Sequence, residues 1–332
     1  DLSWGIGTVV VFWVGYKLIL TGEIEIGTLL AFSMYVGTFW RPLMNLSSFY
    51  STLLTNFSAA DRIFDIMDIE PDLTSDKNAP LMPKIEGLVS FNNVSFCYDA
   101  NTQVLTDVNF TVQPGESVAL VGPTGAGKTT IVSLLSRFYD TSKGEILVDN
   151  INIKNVDLAS YRSQLGVMLQ DTFLFSDTIM ENIRYGRLDA TDEEVIEAAK
   201  AVNAHDFIMK MSEGYQTEVN ERGLRLSLGQ RQLISLARAL LANPRILILD
   251  DATSNIDSQT EHLVQKGIEK LLSNRTSFVI AHRLSTIRDC DKIMVIDDLG
   301  IKECGTHDEL INQKGLYYDL YMKQYEFLTE GA

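Results

Sequence analysis

The first sixty residues obey a different hydrophobic pattern from the rest of the chain. Leu2 to Leu20 reads LSWGIGTVVVFWVGYKLIL and carries one charge, Lys17. Ile26 to Ala60 also carries one charge, Arg41. These runs predict two long helices, and a helix that crosses a membrane needs about 20 mostly apolar residues. The uncharged stretches Leu2 to Tyr16 and Ile26 to Trp40 fall slightly short of that length, although Lys17 can snorkel. Trp4, Trp13, Tyr16, Tyr35, Phe39 and Trp40 suit a membrane–water interface. The joining TGEIEIG lacks Lys and Arg, whereas Arg41 and Arg62 follow the second run. By the positive-inside rule the hairpin faces out and the remainder faces the cytoplasm. Two core helices of a soluble domain are the alternative. Ser47 to Ala60 contain no Gly or Pro, so the second helix is expected to run on past the membrane surface.

After Glu70-Pro71 the pattern changes. PDLTSDKNAPLMPKIEG holds Pro71, Pro80 and Pro83 among mixed charges and reads as a linker. Beyond it, LVSFNNVSF, FTVQ, SVALVG, ILVDN, LGVML, ILILD, SFVIAH and KIMVID alternate with helical segments. Short β-branched runs spaced by helices predict an α/β domain with a largely parallel sheet. No internal repeat is visible. The chain is therefore divided into membrane-type helices over 1–70, a linker over 71–87 and an α/β domain over 88–328.

Composition narrows this further. The 332 residues carry 28 basic against 44 acidic side chains, a formal charge of −16. Such a surface repels phosphate backbones and argues against nucleic-acid partners. Cys97, Cys290 and Cys304 are too scattered for a disulfide framework or a zinc site, which fits a reducing compartment. The chain opens on Asp1 without a basic n-region and reads as a piece of a longer or processed chain.

Gly122-Pro123-Thr124-Gly125-Ala126-Gly127-Lys128-Thr129 matches GxxxxGK[ST], between the strand Ser117 to Val121 and a helix that continues through Thr130. Glycines let successive backbone N–H groups converge on phosphate oxygens, and the helix N-terminus adds partial positive charge. Lys128 supplies a point charge for the β and γ phosphates, and the Thr129 hydroxyl can ligate Mg²⁺. Asp250, at the end of the aliphatic run Ile246 to Leu249, is the matching magnesium carboxylate. These residues predict a P-loop nucleotide site.

Leu226-Ser227-Leu228-Gly229-Gln230 stands shortly before that strand, followed by Arg231-Gln232 and ARALL. With it the sequence resembles ABC transporters, specifically exporters whose ATPase domain is fused behind membrane helices. The resemblance spans the whole chain, and about four earlier helices would precede it. It implies ATP and Mg²⁺ as ligands. Tyr98 would stack on adenine, Gln170 would touch Mg²⁺ and contact the membrane helices, and His282 would contact the γ-phosphate. Ser227, Gly229 and Gln230 would face the ATP of the opposite subunit, so that two domains sandwich two ATP molecules head to tail. Thr217 to Gly223 resembles the exporter loop that touches the cytoplasmic coupling helices.

Three positions depart from the family pattern. Asp251 stands where a glutamate usually polarises the attacking water, and it is one methylene shorter. In the family this marks the weakened site of heterodimeric exporters, and a homodimer with a working Asp251 is the alternative. Leu228 replaces a signature glycine, and Asn255 stands where alanine is commoner. The resemblance thus implies export of a hydrophobic or amphipathic compound across the plasma membrane, in contact with lipid, together with a second half-transporter. A soluble ATPase of the same superfamily, or a channel-like member that binds ATP without pumping, remains a competing class.

Overall fold

The apolar runs of the α/β part become the middle of a six-stranded sheet. Its strand order is Gly300–Gly305, Lys292–Asp297, Ser117–Val121, Thr276–Ala281, Ile246–Asp251 and Leu165–Met168. All neighbours are parallel except the edge strand Gly300–Gly305, which runs antiparallel to Lys292–Asp297. The structure is a computed structural model that describes residues 2–76, 78–99, 102–168, 173–219, 223, 226–251, 258–281 and 284–330. It forms two compact units, Asp1–Asp72 and Leu73–Ala332.

The central strands are apolar through their middles, with polar residues at their ends, because both faces are covered. Alternate side chains serve different cores. Val118, Leu120, Ile246, Ile248, Phe278 and Ile280 enter the core that also holds Ile131, Leu134 and Leu135 of the helix Lys128–Leu135. Ala119, Val121, Leu247, Leu249 and Val279 enter the other, shared with Leu233, Leu236 and Ala237 of the helix Leu228–Ala242. Val89–Cys97, Gln103–Val112, Lys143–Val148 and Ile151–Asn152 leave the parallel sheet and form a separate four-stranded antiparallel one. Phe91 and Phe110 stack across it with ring centroids 4.4 Å apart.

Residues 75–76 and 78–88 lie strapped along this unit by side-chain hydrogen bonds. The Asp149 carboxylate accepts from the backbone N–H groups of Glu86, Gly87 and Leu88 at 2.7, 3.0 and 2.8 Å. Gln164 accepts from the Ile85 N–H at 2.9 Å and donates to the Pro83 carbonyl at 3.0 Å. The Ser160 hydroxyl accepts from the Met82 N–H, and the Ser75 hydroxyl accepts from the Leu158 N–H. Replacing Asp149 by Ala leaves three donors without their acceptor and should cost about 2–3 kcal/mol. Urea denaturation of this domain would measure it, and an unchanged midpoint would mean that the strap adds nothing to stability.

The N-terminal unit is the helix Leu2–Leu20 followed by the 42-residue helix Ile26–Met67. The second helix does run past Ala60, and Pro42 lies inside it. The two pack against each other where Gly15 admits the Leu29 side chain, since a Cβ on Gly15 would meet Leu29 Cδ1 at 2.3 Å. Large apolar side chains such as Val9, Trp13, Phe32, Met34 and Phe39 are exposed in this unit. Among the described residues no helix is long and apolar enough to cross a membrane. The expectation of two spanning segments is corrected to that extent. The apolar runs are interrupted by Lys17 in one helix and by Arg41-Pro42 in the other.

Candidate functional site

The phosphate loop begins where the strand Ser117–Val121 ends. Gly122 takes φ +147°, and a Cβ there would stand 2.1 Å from the Ile296 carbonyl oxygen of the neighbouring strand. Only glycine fits so close to another backbone. Gly127, at φ +102°, turns the chain in left-handed conformation directly into the helix Lys128–Leu135. The first N–H groups of that helix point back along its axis into the loop, the arrangement that binds phosphate. The Lys128 Nζ folds over the loop and donates to the carbonyls of Gly122 and Pro123, both at 2.8 Å. Burial pulls this ammonium below the ordinary lysine range, and the negative charge of Asp250 partly restores it. Thr129 is exposed in the first turn, whereas Thr130 is buried.

Tyr98 lies just beyond the antiparallel strand Val89–Cys97, with 49% of its surface exposed. Its hydroxyl is 3.1 Å from the Thr130 hydroxyl, which ties the ring to the phosphate-loop helix. Phe96 and Tyr139 meet it edge-on, with centroids 4.9 and 5.1 Å away. The half-exposed ring keeps surface against which a planar base could lie. Sequence reasoning had not singled out Tyr139 or the Thr130–Tyr98 link. The only signal for them was the aromatic pair Phe138-Tyr139 at the end of the phosphate-loop helix.

Parallel pairing aligns the carboxyl ends of the strands, which is where open α/β sheets bind ligands. Asp250 pairs with Ile280 and Asp251 with Ala281, the residue before His282. Leu120 pairs with Ile280 on the other side of the same strand. The phosphate loop, the Asp250-Asp251 pair and Ala281 therefore lie at the same carboxyl end of the sheet. Thr129 and Asp250 contribute hard oxygen donors of the kind that Mg²⁺ prefers. Gln170, His282 and Asn255 lie outside the described residues, as do 220–222 of the exporter-type loop.

The signature segment starts the helix Leu228–Ala242 with a capping box. The Ser227 hydroxyl accepts from the Gln230 N–H at 3.2 Å, and the Gln230 Oε1 accepts from the Ser227 N–H at 3.0 Å. Both side chains are thus engaged within their own turn, and Arg231 N–H bonds the Ser227 carbonyl. That leaves the Leu228 and Gly229 N–H groups at the open positive end of a 15-residue helix. The donors offered to an anion here are backbone groups, so the leucine at position 228 does not remove one. On the flank of the same helix, Ser235, Arg238 and Ala242 line a groove of about 310 Å³ with Val167, Phe173 and Gly186. Arg238 is fixed there by bonds to the Phe173 and Asn182 carbonyls and lies over the rings of Phe175 and Tyr185.

Known proteins share these features. The ABC transporter family model matches residues 105–254. An uncharacterised ABC transporter ATP-binding protein of Bacillus subtilis (strain 168), YknV, is 49% identical over 330 residues, 99% of this chain and 55% of that protein. A fatty acid ABC transporter ATP-binding/permease protein of Mycobacterium bovis is 45% identical over 315 residues, 95% of this chain and 50% of that protein. Among solved structures, that of a bacterial Atm1-family ABC exporter with ATP bound superposes with a TM-score of 0.75 at 41% identity. It covers 91% of this chain and 53% of that one. The chain spans about half the length of the curated relatives it matches. By motif, fold and likeness, the chain carries the ATP-binding domain of the ABC transporter family, and it is similar over nearly its whole length to part of an exporter of that family.

Proposed function

We propose that this protein is one half of an ATP-driven exporter of amphipathic or hydrophobic compounds. The reading is carried by the single sheet edge at which Lys128, Asp250 and Asp251 come together beside a glycine-built phosphate loop. ATP would lie with its phosphates over residues 122–129 and its base against Tyr98. The backbone N–H groups and Lys128 hold the β and γ phosphates in line. Thr129, Asp250 and Gln170 are the residues that would hold Mg²⁺, which when bound neutralises charge between those phosphates. Asp251 orients the attacking water, and His282 contacts the γ-phosphate. Ser227, Gly229 and Gln230 begin the helix that meets the nucleotide of a second half-transporter, with Leu228 and Gly229 presenting their N–H groups.

Asp251 is one methylene shorter than the family's usual glutamate. That shortening supports a weakened site in this chain and a different partner chain as the second half. A homodimer is the second reading, favoured by the intact geometry of Lys128 and Tyr98. The exposed apolar surfaces of the two N-terminal helices support a multi-pass location in the plasma membrane, where further helices or lipid cover them, with the ATP-binding domain in the cytoplasm. The name of the mycobacterial relative refers to a fatty acid, an amphipathic compound of the class proposed here. Inside-out vesicles containing the full-length protein, with its partner if it has one, should accumulate a fluorescent fatty acid against its gradient only when ATP and Mg²⁺ are present. ATP hydrolysis without any ATP-dependent flux of amphipathic probes would overturn the proposal.

A further inference from the structure

At the opposite end of the central sheet lies a polar pocket of about 260 Å³ with no role in the reading above. It is lined by Asn243, Arg245, Lys270, Ser273, Asn274 and Arg275, with Leu240 and Pro244 at its wall. Arg245 precedes the strand Ile246–Asp251 and Arg275 precedes Thr276–Ala281, so the pocket touches the starts of the two strands whose ends carry Asp251 and Ala281. A six-residue strand spans about 20 Å, which separates this pocket from the phosphate loop.

Three cations line one small pocket in a chain of net charge −16. Arg275 is only 9% exposed. Its guanidinium donates to the Leu271 carbonyl at 3.2 Å and to the Asn243 Oδ1 at 3.0 Å. Both acceptors are neutral. Among the described residues no carboxylate forms an ion pair with Arg245, Lys270 or Arg275. Burial and the like charge of Arg245 both press against the charged form of Arg275. Another deeply buried arginine, Arg137, differs in having the Asp140 carboxylate at 3.3 Å. Arg275 also sits at the ends of the helices Leu228–Ala242 and Ser258–Leu272. Each helix end supplies only about half a negative charge, so the pocket keeps a net positive potential. Buried charge without a counter-charge is costly, and a guanidinium fork matches phosphate geometry.

We infer that the Arg245–Lys270–Arg275 pocket is an anion site for a phosphate group, either free or on a small ester, distinct from the ATP site. Equilibrium dialysis of radiolabelled inorganic phosphate against the full-length protein tests this, using Lys128→Ala protein to suppress phosphate binding at the loop. About one phosphate per chain should be retained, with a dissociation constant of about 0.1–1 mM. The exposed substitutions Arg245→Gln and Lys270→Gln together should weaken it at least tenfold while unfolding stays unchanged, whatever Arg275→Gln does to folding. Competition by glycerol 3-phosphate would mark a soluble ester as the source. Competition by dioctanoyl phosphatidic acid alone would mark a lipid headgroup. No retained phosphate, or retention indifferent to both substitutions, would overturn the site while leaving the exporter reading intact.

Discussion

In protein carrying Asp251→Glu, replacing Lys128 by Ala is expected to lower steady-state ATP hydrolysis about a thousandfold, equivalent to about 4 kcal/mol of lost transition-state stabilisation. Two effects add to reach that figure. The ammonium that lies 2.8 Å from the Gly122 and Pro123 carbonyls can swing onto a phosphate oxygen without crossing more than a few ångströms. Its charge is partly desolvated, which makes it cheaper to move from carbonyl to phosphate than a fully hydrated lysine would be. Removing it also frees the loop from its internal tie, so the N–H groups lose their preset direction. Turnover would be followed by phosphate release from the protein in lipid, and folding by circular dichroism. Hydrolysis within tenfold of the Asp251→Glu protein that keeps Lys128, at equal folding, would remove Lys128 from the site.

The second large effect runs the other way. Asp251→Glu is expected to raise hydrolysis by the chain alone about a hundredfold, because a base displaced by about 1 Å loses roughly that factor. The backbone at Asp251 is fixed by its pairing with Ala281, so the strand cannot slide forward to recover the missing methylene. If glutamate restores turnover to an otherwise nearly inert chain, the weakened-site reading stands and a different partner chain should be sought. Steady turnover by the unmodified chain, unchanged by glutamate, would make Asp251 a working residue and favour the homodimer.

How far such features could be read in advance depended on where they lie. Runs such as residues 118–121 and 246–249 were legible because strands covered on both faces are continuously apolar through their middles. Gly300–Gly305 was not, since an edge strand that includes Lys302 and Glu303 and is only partly covered has no hydrophobic signature. The split into two sheets was hidden for a related reason. Lys143–Val148 looks like any other β-branched run, and only its partners decide which sheet receives it. The glycine cradle and the Ser227–Gln230 box announced themselves by spacing, because each spacing follows from one turn of local geometry. The Thr130–Tyr98 bond and the Asp149 strap join residues 32 and more than 60 positions apart and leave no local trace.

The alternation of the central strands between two cores also constrains how genes for this domain can change. A single residue inserted within Ile246–Asp251 would exchange the two buried faces of every position beyond it and shift Asp250 and Asp251 out of line with Ile280 and Ala281. No compensating point substitution could undo so many swaps at once. Codon insertions and deletions should therefore survive in the connecting turns, while the strand segments keep a fixed length across descendants and admit only substitutions of apolar residues by others of similar volume.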